Sequence, residues 1–201
     1  MSAYVIGDIN VTNPDIFAEY AERVPASSGA YGGRYLVRGP GKCEPCEGDW
    51  NPRRFVLAEY KDVATVTSWY YSDEYKELTK LRQSASTGTL LVAEGVEPHA
   101  EGSDSGKAGY IVGDIEVTDP DTYSQYAAGV PGTVAAYGGR YLVRGVSGEV
   151  LEGGWTPKRL VVLEFESIAR AKEWYNSTEY ADLRKIRHSA SNGNLIFADG
   201  A

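Results

Sequence analysis

The sequence predicts an α+β protein built from two copies of one ferredoxin-like βαββαβ module, and three observations predict it. The nonapeptide Tyr31-Gly32-Gly33-Arg34-Tyr35-Leu36-Val37-Arg38-Gly39 returns unchanged as Tyr137-Gly138-Gly139-Arg140-Tyr141-Leu142-Val143-Arg144-Gly145. Around it the halves stay in register, at an offset of 106 residues before the central loop and 105 after it, so that Tyr4 matches Tyr110, Asp8 matches Asp114, Trp50 matches Trp155, Glu59 matches Glu164 and Arg82 matches Arg187. Within each copy, strand-like and helix-like stretches alternate in one order. A repeat of this kind fixes the architecture before any propensity is consulted.

The first element, Tyr4 to Val11 (Tyr110 to Val117 in the second copy), is apolar and β-branched and reads as a strand. Asn13-Pro14-Asp15 and Asp119-Pro120-Asp121 then carry an N-cap residue, a proline at the first helical position and an acid in the first turn. Ile16, Phe17, Tyr20 and Val24 form the apolar stripe of that helix, and Pro25 and Pro131 are expected to interrupt or bend it before the Gly-Gly pair ends it. Arg34 to Arg38 reads as a second strand, with Arg34, Leu36 and Arg38 on one side and Tyr35 and Val37 on the other. A Gly/Pro-rich loop follows, then a strand over Arg53 to Tyr60, a helix over Asp62 to Tyr71, a fresh N-cap at Ser72, a helix to about Ala85 and a closing strand from Leu90 to Glu94. The expected boundaries are a first module over 1–95, a linker over 96–108 and a second module over 109–201. Each four-stranded sheet leaves one face uncovered, and the other repeat is the obvious cover. The expectation is therefore an α+β barrel within one chain, two sheets face to face with helices outside.

Modules of about 95 residues sit near the lower limit for an independent core and gain from burying a shared face. The net charge of −8 divides as −3, −2 and −3 over the two modules and the linker between them. No basic face or tail appears, which argues against nucleic acid as a partner. No long apolar stretch is present, so neither a membrane span nor a signal peptide is expected, and the cytoplasm is the default location. The chain lacks a GxGxxG after a strand, a P-loop, an HExxH and a Gly-x-Ser-x-Gly elbow. Nucleotide-dependent and serine-hydrolase chemistry therefore lose weight, and no cofactor or metal is expected.

Arg34, Arg38 and Glu59, with Arg140, Arg144 and Glu164, come from the sheets, and Asp8 and Asp114 share parity with the first-strand tyrosines. Facing into a cavity, such carboxylates would exchange protons and the guanidinium groups would hold an anionic oxygen. The plainer alternative is an Arg–Glu network that ties strands together. His188 stands where the first repeat has Gln83, and His99, the other histidine, lies in the linker. Histidine titrates near neutrality, so His188 is a candidate proton carrier, although a Gln-to-His change at a helix end is also ordinary drift. Tyr31 and Tyr137, just before the Gly-Gly turn, are candidates for a pocket mouth. Cys43-Glu44-Pro45-Cys46 occurs only in the first repeat, and without a second CxxC or nearby histidine it reads as a loop disulfide or two idle thiols.

Tyr-Gly-Gly-Arg-Tyr-Leu-Val-Arg-Gly, with Glu47-Gly48-Asp49-Trp50-Asn51-Pro52-Arg53-Arg54, Trp69-Tyr70-Tyr71-Ser72-Asp73-Glu74-Tyr75 and Leu81-Arg82-Gln83, resembles the bacterial domain-of-unknown-function family 1330. The resemblance covers both repeats and leaves out the linker. It implies a place in the dimeric α+β-barrel superfamily, whose members usually pair two chains, so this chain looks like two members fused into a pseudo-dimer. A further homodimer stays open. That superfamily includes cofactor-independent quinone-forming monooxygenases, muconolactone-type isomerases, haem-handling enzymes and polyketide cyclases.

The resulting expectation is an enzyme that isomerises or cyclises an oxygenated small molecule, of polyketide or aromatic type, by acid–base catalysis in a barrel cavity. Asp8, Asp114, Glu59, Glu164 and His188 would move protons, while Arg34, Arg38, Arg140, Arg144, Tyr31 and Tyr137 would bind the substrate. A cofactor-free monooxygenase acting on phenols and a ligand-binding barrel without turnover are the alternatives.

Overall fold

The structure, a computed structural model, describes residues 1–96, 108–146 and 148–201. His99 and nearly all of the expected linker lie outside the described residues. The elements run β1 (Ala3–Val11), α1 (Pro14–Ala30), β2 (Arg34–Pro40), β3 (Cys43–Glu47), β4 (Arg54–Tyr60), α2 (Val63–Tyr70), α3 (Asp73–Ala85), β5 (Ser86–Glu94), β6 (Gly109–Val117), α4 (Pro120–Ala136), β7 (Arg140–Val146), β8 (Glu149–Glu152), β9 (Leu160–Phe165), α5 (Ile168–Tyr175), α6 (Thr178–Ala190) and β10 (Ser191–Asp199). They form two antiparallel sheets, β2-β4-β1-β5-β8 and β3-β10-β6-β9-β7.

Without β8 and β3 each sheet has the ferredoxin-like order, as the sequence predicts. The fifth strand is new. The stretch expected to be a Gly/Pro-rich loop carries β3 in the first repeat and β8 in the second, and each pairs with the last long strand of the other repeat. A four-stranded sheet would leave that strand's backbone groups unpaired, and the exchanged strand satisfies them. Pro45 is tolerated in β3 because an edge strand has one side that donates to nothing. The first compact unit accordingly takes in residues 1–42, 52–96 and 148–156 among those described, and the second 43–51, 108–146 and 157–201.

Local chemistry sets the helix boundaries. Asn13 caps α1 by accepting from the Ile16 N–H at 3.3 Å, Asp62 caps α2 from Thr65 at 2.8 Å, and Ser72 caps α3 from Tyr75 at 3.2 Å. Tyr31 is the C-cap of α1, and Gly32 beyond it takes φ +73°, a left-handed conformation that glycine adopts at little cost. Contrary to expectation, neither Pro25 nor Pro131 interrupts its element; α1 and α4 run through them as single helices.

The second-strand parity also differs from expectation. Arg34 pairs with Glu59 and Tyr35 with Ala58, but Val37 pairs with Leu57 and Arg38 with Val56. The extra residue is a bulge, and it turns Arg38 onto the face of Tyr35, opposite to Arg34. The Arg38 guanidinium lies 5.1 Å from the Tyr35 ring centre, and the same shift in β7 puts Arg144 4.8 Å from Tyr141.

In the first unit the helix-side face of the sheet (Val5, Ile9, Ala58, Val92) packs with Phe17, Val24, Trp69, Tyr75 and Leu78. Its other face, with Tyr4, Ile6, Leu57 and Leu91, is buried as well. The second unit repeats the helix-side core with Ile111, Ile115, Leu163, Phe197, Tyr123, Val130, Trp174 and Tyr180. Two core positions differ in kind. Ser28 Oγ and the Tyr60 hydroxyl share a buried hydrogen bond of 2.7 Å, where the second repeat has Val134 and Phe165. Gly33 is glycine because a Cβ there would fall 2.2 Å from Ser28 Oγ and 2.7 Å from the Tyr60 ring. Tyr60→Phe alone should destabilise by about 1–2 kcal/mol, because it removes a buried hydrogen bond of the Ser28 hydroxyl. Adding Ser28→Val should recover most of that loss. Urea unfolding of the two single variants and the double variant measures the coupling, and additive effects would refute it.

Candidate functional site

On β4 and β9 the glutamates bind their strand neighbours. Glu59 accepts from the Tyr4 hydroxyl at 3.1 Å and from Arg34 Nη2 at 2.6 Å, and Arg34 is its register partner. Glu164, 5% exposed, accepts from Tyr110 at 3.1 Å and from Arg140 Nε at 2.5 Å. Asp114 accepts the backbone N–H of Lys158 at 2.8 Å and of Arg159 at 3.3 Å, which braces the turn into β9, while Asp8 is half-buried on β1. Tyr137 donates to Glu179 at 3.0 Å and stacks under Arg170, whose guanidinium is 4.7 Å from the ring; Tyr31 packs at the edge of the first core.

A second cluster is built on the exchanged strands. Arg187, buried on α6, forks onto Glu47 of β3 with distances of 2.8 and 2.5 Å, and Tyr175 also donates to that carboxylate. Burial alone would raise the Glu47 pKa, but the hydrogen bonds and charge of Arg187 outweigh it and hold the carboxyl at about 2. His188 Nε2 lies 3.1 Å from Glu47 Oε1, with half of its side chain in solvent. The first unit has the same arrangement. Arg82 forks onto Glu152 of β8 at 3.0 and 2.6 Å, Tyr70 lies 3.3 Å from the same carboxylate, and Gln83 takes the place of His188 as a donor to Glu152. His188 is thus one of several donors to a structural carboxylate.

The cavity lies elsewhere, between the sheet and helices of the first unit. It encloses about 40 Å³ and is walled by Tyr20, Tyr35, Tyr60, Tyr75, Trp69 and three arginines, Arg38, Arg54 and Arg82. Its inner end is buried, with Tyr75 and Arg82 each 1% exposed, whereas Arg38 and Arg54 are half-exposed. The Tyr20 and Tyr75 hydroxyls meet at 3.4 Å, and the Arg82 guanidinium is 5.9 Å from the Tyr20 ring centre. Burial pushes the Tyr20 hydroxyl well above its ordinary pKa and Tyr35 up to about 12, so both stay protonated and able to donate near neutrality. Arg82 Nε is the single buried side-chain polar atom without a hydrogen-bond partner among the described residues. Its counterpart, Arg187 Nε, donates to Tyr180 at 3.2 Å.

Of the site residues expected from the sequence, only Arg38 lines this cavity. Tyr35, Tyr60, Tyr75, Arg54 and Arg82 were not among the expected site residues, and Tyr20 was read as part of the apolar stripe of the first helix. The available signal was the pairing of Tyr60 and Ser28 in one repeat against Phe165 and Val134 in the other. Cys43 and Cys46 lie on β3 rather than in a loop, and neither is in a disulfide. Three residues apart on one strand, their Cα atoms are roughly 10 Å apart, too far for a disulfide. Burial pushes the Cys46 thiol up to about 11, away from thiolate chemistry. Among the described residues no group of three or more His, Cys, Asp or Glu comes together to hold a metal ion, and no helix is long and apolar enough to cross a membrane.

Comparison with solved structures places the fold. A provisionally assigned monooxygenase from Fusobacterium nucleatum superposes with a TM-score of 0.58 at 11% identity, over 99% of this chain and 92% of that one. One from Lactobacillus acidophilus gives 0.55 at 10%, over 98% and 92%, and an anthrone oxidase-like protein gives 0.53 at 11%, over 100% and 91%. These likenesses show the fold, the dimeric α+β-barrel class. No curated protein matches the chain in sequence. The family described as "Domain of unknown function (DUF1330)" matches residues 2–96 and again 108–201, so the chain belongs to that family, with two copies of its domain in tandem.

Proposed function

We propose that the chain acts on a small oxygenated molecule in the first-unit cavity, without a bound cofactor, by holding one of its oxygens with tyrosine hydroxyls and Arg82. The observation that carries this reading is a cavity walled by four tyrosines and three arginines, with no carboxylate among its lining residues. An isomerisation or cyclisation next to a carbonyl passes through an enolate; water or a buffer base at the cavity mouth takes the α-proton, and fixed donors aimed at the enolate oxygen stabilise it. Oxidation of a phenol by dioxygen would use the same donors on a phenolate, and binding without turnover would use them on the unreacted ligand. The enclosed volume favours a compact molecule over a polyketide. Asp8, Asp114, Glu59, Glu164 and His188 are not among the residues that line the cavity and take no part in this step.

The test is deuterium exchange at the carbon next to the carbonyl of small ketone probes in D2O, followed by NMR. Exchange accelerated by the protein and reduced tenfold or more in Tyr75→Phe supports enolisation, and His188→Gln should leave it unchanged. Oxygen uptake with a phenol would favour the monooxygenase alternative. Binding without exchange or uptake would favour a ligand-binding role, and no binding of any probe would refute the site.

A further inference from the structure

Two arginines at the open end of the first-unit cavity have no acid to answer them among the described residues. Arg38 pairs with Val56 across the β2–β4 ladder, and Arg54 lies two positions from Val56 opposite Pro40. The two side chains therefore stand on one face of neighbouring strands, on a diagonal within mutual reach. Arg38 donates to the Ala21 carbonyl, and the Arg54 guanidinium sits 4.9 Å from the Phe17 ring centre. Among the described residues no carboxylate pairs with either, although the chain is acidic and Arg34, Arg82, Arg140 and Arg187 each have a glutamate. Burial first, and then the neighbouring charge of Arg38, hold Arg54 below the usual arginine range. Two like charges this close on a half-buried face are unfavourable until an anion joins them.

We infer that the cavity takes a compact oxo- or hydroxy-carboxylate, with its carboxylate held by Arg38 and Arg54 and its second oxygen facing the Tyr20–Tyr75 pair. The inference rests on the proposed site and adds the class of ligand. Guanidinium groups grip a carboxylate in a two-pronged fashion, which fixes its orientation as well as its charge. Tyr20 links the two ends, since it lies against Arg82 and lines the same cavity as Arg54. A cavity of about 40 Å³ holds roughly three water positions. That is room for the remainder of a short acid once its carboxylate sits at the mouth. The second repeat keeps the charged end as Arg144 and Arg159 but has Leu163 and Phe165 where the first has Ala58 and Tyr60. The second unit thus provides an internal control.

Calorimetric titration with acetoacetate and with neutral butanone tests the inference. Acetoacetate should bind at one site per chain at least tenfold more tightly than butanone. Arg38→Gln and Arg54→Gln should each weaken it tenfold or more, while Arg144→Gln and Arg159→Gln change it less than twofold. Circular dichroism of the variants checks that they remain folded. Equal affinity for the two probes, or unchanged acetoacetate affinity in the Arg38 and Arg54 variants, overturns the carboxylate inference. If butanone binding is then lost in Ala58→Leu, the cavity itself stands as the site. No binding of acetoacetate, butanone or phenol overturns both readings.

Discussion

Arg187→Ala is expected to destabilise the protein by about 3–5 kcal/mol, because it leaves the Glu47 carboxylate half-buried with its principal partner gone. For a chain of this size that corresponds to a fall in Tm of about 10 °C. The effect is large because of where the pair sits. Glu47 belongs to β3, an exchanged strand of only five residues, and Arg187 anchors that strand to α6. The prediction extends to pH. The folded-state pKa of Glu47, about 2, lies below its ordinary 4.5, so its contribution is fully present above pH 4.5 and is lost as pH falls through about 2. Urea midpoints measured between pH 7 and pH 2.5 should fall on the acid side, and Glu47→Gln should flatten that fall. Equal slopes for wild type and variant would refute the assignment. Replacing both partners together, as Arg187→Met with Glu47→Leu, should cost far less than Arg187→Ala, since it removes the stranded charge.

The pairing of β3 with β10 explains which parts of the fold were legible in the sequence. The ferredoxin-like order, the helix caps and the Gly-Gly turn were readable because each is local, set by residues within a few positions of one another. Strand exchange was not, since Cys43-Glu44-Pro45-Cys46-Glu47 carries no alternation that separates a short edge strand from a loop. The reversal at Arg38 was hidden for a related reason. A bulge adds one residue to the period of two, and nothing in Tyr35-Leu36-Val37-Arg38 announces it. The placement of the candidate residues was out of reach for the same reason. Glu59, Arg34 and Asp114 have their partners on adjacent strands and turns, whereas Tyr20, Tyr35, Tyr60 and Tyr75 wall the cavity. What the sequence did contain was the mismatch between repeats, and at the cavity the mismatches are Ala58/Leu163 and Tyr60/Phe165.

Ala58→Leu is expected to abolish ligand binding, by 100-fold or more, with a change in stability of less than about 1.5 kcal/mol. Ala58 lines the cavity on the helix-side face of β4, and its counterpart Leu163 is 3% exposed in the second core. The second unit therefore shows that this backbone accommodates leucine here. Filling a void returns contact energy, which offsets the strain of added volume. Loss of binding without loss of stability separates occupancy of the cavity from damage to the fold. The reciprocal change makes the stronger demand. Leu163→Ala should cost about 2–5 kcal/mol, as deletion of buried methylene groups does. It should also open space beside Arg144 and Arg159, which stand as Arg38 and Arg54 do. The stoichiometry for the same acid should then rise from one to two per chain, with weaker affinity at the new site, because Phe165 lacks the hydroxyl that Tyr60 carries. Calorimetry of both variants gives the answer in one experiment. Wild-type affinity in Ala58→Leu would show that the ligand binds outside the first-unit cavity, and the roles assigned to Arg82, Tyr20 and Tyr75 would fall with it.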